Sequence, residues 1–444
     1  MPILTIYTYL FFLLILYYVI NIHQKNDDIF SPKSFFIIFT LFEIPYAFKI
    51  IDNLDLIPYY AKIHIKDFSE VYFIHFFNSS LFIIFVIVSL AIFNPRPKYL
   101  YNLLKDSDNS HRINLLTHLS LLLLCFLGYY LFLNSIGGLF YLLQNIDSKS
   151  TIIAGTGYYQ AIYYTAGFLS VGYLVIAFSQ SNKSLIKKIY LVVIILSIFL
   201  IFTSIGSRKT PILFILFTFL IWNYHINKVK IFTTKNIIFG FIGLIYFSAM
   251  PLFRAQGAFE YYSNNLDILF IDSFEKLFNF FERFSELDRS LMIYSIFDSS
   301  NYWLGTSFKD ILYAPIPRSM FPDKPPLDEG VYIYNIAHGN IVSPTTSLLK
   351  MTAVGWPPNT ITNMYINFGY IGVPIGGLIF GYFLKYFYNL VVHLNYNPIG
   401  MYLYSSAIFG SLALTNRNIV SFLTMIVFSI IIVKSIQFIT RIRF

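Results

Sequence analysis

Charge and cysteine are what this chain has least of. Only 12% of its 444 residues are Asp, Glu, Lys or Arg. That is too few to cover the surface of a soluble protein of this size, so the soluble classes are excluded. The single cysteine, Cys125, lies inside an apolar run. One cysteine permits neither a disulfide framework nor a cysteine-based metal site, and it suggests no redox role. The opening stretch, "MPILTIYTYLFFLLILYYVI", has no basic residues ahead of its apolar run. It therefore reads as a first retained span rather than a cleaved leader. Internal repeats and low-complexity linkers are absent as well.

What fills the chain instead is apolar and aromatic. It is 57% hydrophobic, with 49 Phe and 36 Tyr, and its mean hydropathy is +0.64. Repeated apolar runs are long enough to cross a hydrocarbon core as helices, which takes about 20 residues each. The pattern predicts an all-α polytopic membrane protein. About eleven transmembrane helices are expected, near residues 3–20, 35–51, 71–93, 113–132, 160–179, 189–205, 210–225, 237–253, 361–384, 399–415 and 419–433. Clustered Lys and Arg in 94–112, 181–188, 225–235 and 434–444 alternate so as to share one side, which the positive-inside bias makes cytoplasmic. The net charge of +9 then reflects inward lysines and affinity for anionic lipid-linked groups in the bilayer, rather than nucleic acid.

This topology divides the chain into helices 1–8 (residues 1–253), one large outer loop (254–360) and helices 9–11 (361–444). Within the loop, Phe274, Leu277, Phe278, Phe281, Phe284, Leu287 and Leu291 recur at three- and four-residue spacing. They predict an amphipathic helix over 274–291 that lies in the interface or caps the bundle. In the ninth span, Gly372 to Gly376 and Gly377 to Gly381 match the small-xxx-small spacing of close helix packing.

Arginine is distributed against the inside bias. Of ten arginines, four are cytoplasmic, whereas Arg208, Arg254, Arg283, Arg289, Arg318 and Arg417 face outward; lysine leans the other way, with twelve of 21 inside. A planar guanidinium gives permanent, bidentate contacts to phosphate. An outward cluster therefore suits recognition of a phosphate or diphosphate on which charge develops. The alternative is that such arginines reach up to lipid headgroups. Arg283 and Arg289 each lie three residues from Glu286, so for them a solvated salt bridge is the favoured reading. Arg318 differs, because in "YAPIPRSMFPDKPP" five prolines surround it. Proline fixes φ and restricts the preceding residue, so this segment is expected to be extended and stiff, displaying Arg318 in a preorganised way.

The segment "PIPRSMFPDKP" (315–325), with "NMYINFGYIGVPIGGLIFGY" (363–382), resembles the segments that close the large outer loop of bacterial oligosaccharide repeat unit polymerases, the O-antigen polymerase (Wzy) group. The "GSR" turn at 206–208 is similar to the arginine turn of that group and of the related O-antigen ligases. The resemblance covers roughly residues 200–384, with Phe321 where the group commonly has Trp. It implies a GT-C-like membrane glycosyltransferase in the bacterial inner membrane, with its active site facing the periplasm and no metal or other cofactor. The growing glycan on a polyprenyl (undecaprenyl) diphosphate would be the donor, and a newly exported lipid-linked repeat unit the acceptor. A chain-length regulator is a possible partner, and the glycan would serve as lipopolysaccharide O-antigen, capsule or exopolysaccharide.

Carried onto this chain, Arg208, Arg254 and Arg318 would contact the donor diphosphate, with Arg289, Lys324 and Arg417 as further members. His338 is the histidine of the outer loop that a ligase-like mechanism would use as a base, with Asp323, Glu286 and Asp288 as carboxylate candidates. Glu43, inside the second span with Lys49 near it, is an intramembrane acid with either a functional or a pairing role. A flippase of lipid-linked oligosaccharide and an O-antigen ligase are the rival readings.

Overall fold

The computed structural model describes residues 28–34, 36, 57–105, 111–148, 152–153, 155–180, 184–207, 209–229, 233–254, 257–276, 286–316, 318, 320–408 and 414–441. Every regular element among them is helical. Among the described residues, six helices are long and apolar enough to cross a membrane: Phe68–Ile92, Ile113–Ser135, Gly157–Ser179, Leu185–Thr203, Thr360–His393 and Asn416–Ser435. The chain is thus a multi-pass membrane protein. Lys209–His225 and Thr234–Ala249 form helices where spans are expected, at 17 and 16 residues. At 1.5 Å per residue they rise only about 25 Å, short of a full hydrocarbon core. The two expected spans before residue 52 lie outside the described residues, as do Glu43, Lys49, Arg208 and Arg283.

The chain forms two compact units. The first comprises 1–96, 281–389 and 407–423; the second comprises 97–280, 390–406 and 424–444. In the second unit the Gly157–Ser179 helix is the most enclosed of the candidate spans. Phe168 packs against Phe202, Phe214, Phe217 and Tyr402. Gly167 permits this, since a Cβ there would sit 2.8 Å from the Phe202 ring. Ser170 on this helix is matched too: the His118 ring bonds it through Nδ1 and bonds the Tyr190 hydroxyl through Nε2.

In the first unit, Thr360–His393 is broken at Gly369, whose φ of 62° and ψ of −150° are non-helical. This region of backbone space is essentially restricted to glycine. The break folds the short arm 360–368 back on the long one, so that a Cβ on Gly372 would lie 2.3 Å from the Met364 carbonyl oxygen and one on Gly376 would lie 2.6 Å from the Met364 side chain. Gly377 and Gly381 instead receive the backbone of Phe82 and Val86 on the Phe68–Ile92 helix. Beside them the Ser89 hydroxyl donates to the Leu378 carbonyl at 2.8 Å. The expected packing role of these glycines therefore holds, and a hinge is added to it.

The amphipathic helix expected over 274–291 is not continuous. One helix, Leu266–Glu275, ends at Lys276, and another, Leu287–Ile296, begins after Glu286, which has a non-helical backbone. Residues 277–285 lie outside the described residues.

Replacing Gly369 with Ala should be costly, because a Cβ there would meet the Tyr302 ring at 2.6 Å in a conformation that already strains any side chain by about 1–3 kcal/mol. A thermal midpoint several degrees below wild type is expected. Gly243→Ala is the control: nothing lies within 4 Å of its added methyl, and helix propensity favours alanine by about 1 kcal/mol.

Candidate anion-binding loop

The proline-rich segment is not extended. It folds around a buried ammonium: Lys324 is 7% exposed and its Nζ donates to the carbonyls of Ala314 at 3.0 Å and Ile316 at 2.9 Å. Turns at Tyr313–Ile316 and Phe321–Lys324 close the loop through backbone bonds of 3.1 and 3.2 Å. The carbonyls that meet the two cations belong to Ala314, Ile316, Lys324 and Pro325. Arg318, exposed at the loop's rim, turns inward only at its tip, donating to the Lys324 carbonyl at 2.8 Å and the Pro325 carbonyl at 3.4 Å.

Two cations therefore share one loop. The Lys324 pKa is lowered, first by burial and then by the Arg318 charge. Among the described residues, the ion pairs are Arg289–Glu286 and Arg417–Asp328, and neither involves this loop. Asp323 is exposed and accepts from the Ser347 hydroxyl at 3.2 Å. Among the described residues, the groups bonded to these two cations are backbone carbonyls.

Two more of the arginines singled out from the sequence attach to the residues that follow. Arg417 donates to Asp328 Oδ2 at 3.1 Å, with its side chain 72% exposed. Arg289 reaches the Pro357 carbonyl at 3.3 Å and Glu286 at 3.7 Å. Pro357 in turn lies on Gly330, where a Cβ would be 2.4 Å from the Pro357 nitrogen, and the Trp356 N–H donates to the Gly330 carbonyl at 2.9 Å. Arg318 and Arg417 thus both anchor along 324–328, while Arg289 bonds Pro357, which packs on Gly330. An exposed pair such as Arg417–Asp328 contributes roughly 0–1 kcal/mol, so a stronger anion can displace it.

A buried polar belt fixes this stretch. Asp328 caps the Glu329–Ala337 helix by accepting from the Gly330 N–H at 2.9 Å. Its neighbour Glu329, 1% exposed, accepts from the Asn416 N–H at 2.7 Å and from the Asn363 amide at 3.4 Å. A side chain from one helix so satisfies the free N-terminal N–H of another. Asn416 donates to the Ser307 carbonyl at 2.6 Å, the Ser307 hydroxyl to Asn367 at 2.8 Å, and Asn363 to the Leu414 carbonyl at 2.6 Å. The "NRN" tip that carries Arg417 is held in place by this carboxyl.

Glu329 was invisible in the sequence, where "DEG" at a helix start reads as two solvated acids. Its second oxygen, Oε2, is buried with no partner. Burial, only partly offset by the Asn416 N–H, pushes its pKa up to about 8. Nearby Asp310, bonded by the Tyr332 hydroxyl at 2.7 Å, is pushed up to about 6, again mainly by burial.

His338 ends the Glu329–Ala337 helix. Its Nδ1 donates to the Tyr334 carbonyl at 2.7 Å, and the ring stacks on Tyr334 and lies beside Trp356. That bond leaves Nε2 as the acceptor, the tautomer a base needs. Nine residues of helix, about 13 Å of rise, however, separate it from Glu329 and the arginine-bound turn. Arg254 belongs to the second unit, in the short turn Leu252–Arg254, and Arg208 lies outside the described residues. No family model, curated protein or solved structure matches this chain.

A carboxyl whose pKa is raised from 4.5 to about 8 on folding stabilises the folded state fully below pH 4.5. That contribution is lost progressively as pH rises toward 8, because the folded chain holds the proton that the unfolded chain releases. The thermal midpoint of the purified protein should fall by several degrees between pH 5 and 9. Glu329→Gln, which keeps the acceptor oxygen, should flatten that slope.

Proposed function

We propose that this chain is a membrane glycosyltransferase that polymerises oligosaccharide repeat units carried on polyprenyl diphosphate. The observation that carries the reading is the folded loop in which Arg318 and Lys324 lie together, bound by carbonyls and paired with no carboxylate among the described residues. Such a loop has an electrostatic vacancy for an anion, and its exposed member is a guanidinium suited to two phosphate oxygens.

In this reading, Lys324 does not touch the substrate. Its ammonium shapes the loop and adds long-range positive potential, while Arg318 supplies the direct contact. Arg417 and Arg289 lie along the following residues and take up charge as the sugar–diphosphate bond breaks and the electron pair leaves with the diphosphate. A hydroxyl of the incoming repeat unit attacks the anomeric carbon with inversion. The sequence resemblance of 315–325 and 363–382 to repeat unit polymerases supports this choice, and the reading carries with it a GT-C-like arrangement and an outer-face site. The same segments contain the structural parts described above: the folded loop, Asn363 and Asn367 of the belt, and the Gly369 hinge. Arg208 and Arg254 remain proposed members of the diphosphate site, with a bacterial inner membrane as its setting.

The test is complementation of a strain from which the chain has been deleted. Arg318→Lys retains the charge but loses the fork, and polymer beyond one repeat should fall at least about tenfold, in line with losing a charge-assisted bidentate contact. The thermal midpoint, measured in parallel, reports any loosening of the loop. A normal ladder in this variant would contradict the clamp. Polymer retained on carrier lipid in the deletion strain would indicate a ligase, and absence of single repeats from the cell surface would indicate a flippase.

A further inference from the structure

The Phe68–Ile92 helix carries a polar face that no other described residue satisfies. His75 is 9% exposed and Asn78 fully buried. His75 Nδ1, both amide atoms of Asn78 and the Ser79 hydroxyl are buried without a hydrogen-bond partner. Their spacing, i, i+3 and i+4, places them on one side of the helix. Several polar groups on other helices avoid this cost, since Ser120, Ser197 and Thr218 donate to carbonyls four residues back on their own helices and His118 is bonded at both ring nitrogens; single orphaned hydroxyls occur elsewhere, as at Ser248, Ser406 and Ser429. Each orphaned group is destabilising, and here four such atoms are gathered on one face.

The surroundings indicate what would satisfy them. The His75 ring lies 6.4 Å from Tyr72 and 6.0 Å from Tyr294. Tyr294 packs on Tyr365 at 4.8 Å, and Tyr365 on Tyr302 and Tyr370 at 5.4 and 5.3 Å. The three orphaned side chains are all neutral in their ordinary forms and offer both donors and acceptors. Aromatic walls with a few convergent neutral polar groups are the chemistry of a site for a hydroxyl-bearing ring rather than for an ion. Location agrees as well. His75 is seven residues into its helix, about 10 Å along it, and Tyr294 is five residues, about 7.5 Å, beyond Arg289 on the Leu287–Ile296 helix. The polar face is therefore joined to the arginine-bearing region through one packed helix.

We propose that His75, Asn78 and Ser79 bind a sugar ring of the lipid-linked substrate. The Asn78 amide and Ser79 hydroxyl would take ring hydroxyls, and His75 Nδ1 would join them. This deepens the glycosyltransferase reading and rests on it for the identity of the sugar. Water offers the same hydroxyl chemistry, and the experiment separates the two.

The probes are the single-repeat polyprenyl diphosphate extracted from the deletion strain and bare polyprenyl diphosphate, each titrated against the full-length protein in nanodiscs by native mass spectrometry. Wild type should retain the sugar-bearing lipid about tenfold more tightly than the bare one. Asn78→Leu should erase that difference and leave bare-lipid binding unchanged, while its thermal midpoint stays level or rises because an orphaned amide has gone. Ser79→Ala, too small a change to unfold the helix, should narrow the difference about threefold. A sugar preference that persists in both variants, or that wild type lacks, overturns the proposal and leaves a water-filled site only. Failure of the polymerase reading would appear separately, as wild-type protein that binds the repeat unit and never extends it.

Discussion

The arrangement of the loop at 313–326 depends on one buried ammonium. Lys324 gathers the carbonyls of Ala314 and Ile316, and by closing that loop it brings the Lys324 and Pro325 carbonyls to Arg318. The cation is stabilised by dipoles, which leave the net positive charge of the loop uncancelled. A carboxylate in the same position would have held the loop equally well and abolished its attraction for anions. Structure and electrostatics are thus set by a single choice of counter-group.

From that loop the chain passes directly into the turn that Asp328 and Glu329 organise. These adjacent acids act in opposite ways because their surroundings differ. Asp328, partly exposed, caps its own helix and holds Arg417. Glu329, enclosed, caps the helix that begins at Asn416 and is raised to a pKa of about 8 by its burial. The first presents a cation at the surface, and the second fixes the backbone from which that cation projects. The asparagines at 363, 367 and 416 complete the belt without adding charge.

The sequence disclosed the broad architecture because hydropathy acts over twenty residues at a time. Each described run expected to span the membrane contains a helix, and the glycines at 372, 376, 377 and 381 meet close neighbours as their spacing suggested. Of the arginines that the sequence singled out, Arg318 bonds the carbonyls of Lys324 and Pro325, Arg417 bonds Asp328, and Arg289 bonds the Pro357 carbonyl. What escaped was conformation governed by long-range contacts. Nothing local distinguishes Glu329 from Asp328, since burial comes from helices 34 and 87 residues away in sequence. The prolines around Arg318 suggested an extended segment, but an ammonium eight to ten residues downstream folds it. Gly369 stands just before those glycines in the sequence, and only its backbone angles mark it as the break in the helix.

The central claim is that a diphosphate binds against Arg318 in the carbonyl-closed loop. A cryo-EM map of the protein in nanodiscs with polyprenyl diphosphate tests it most directly. The account predicts two phosphate densities at the Arg318 guanidinium, beside residues 324–330, with Lys324 still bound to Ala314 and Ile316. Diphosphate density elsewhere, with Arg318 facing only carbonyls, would contradict it.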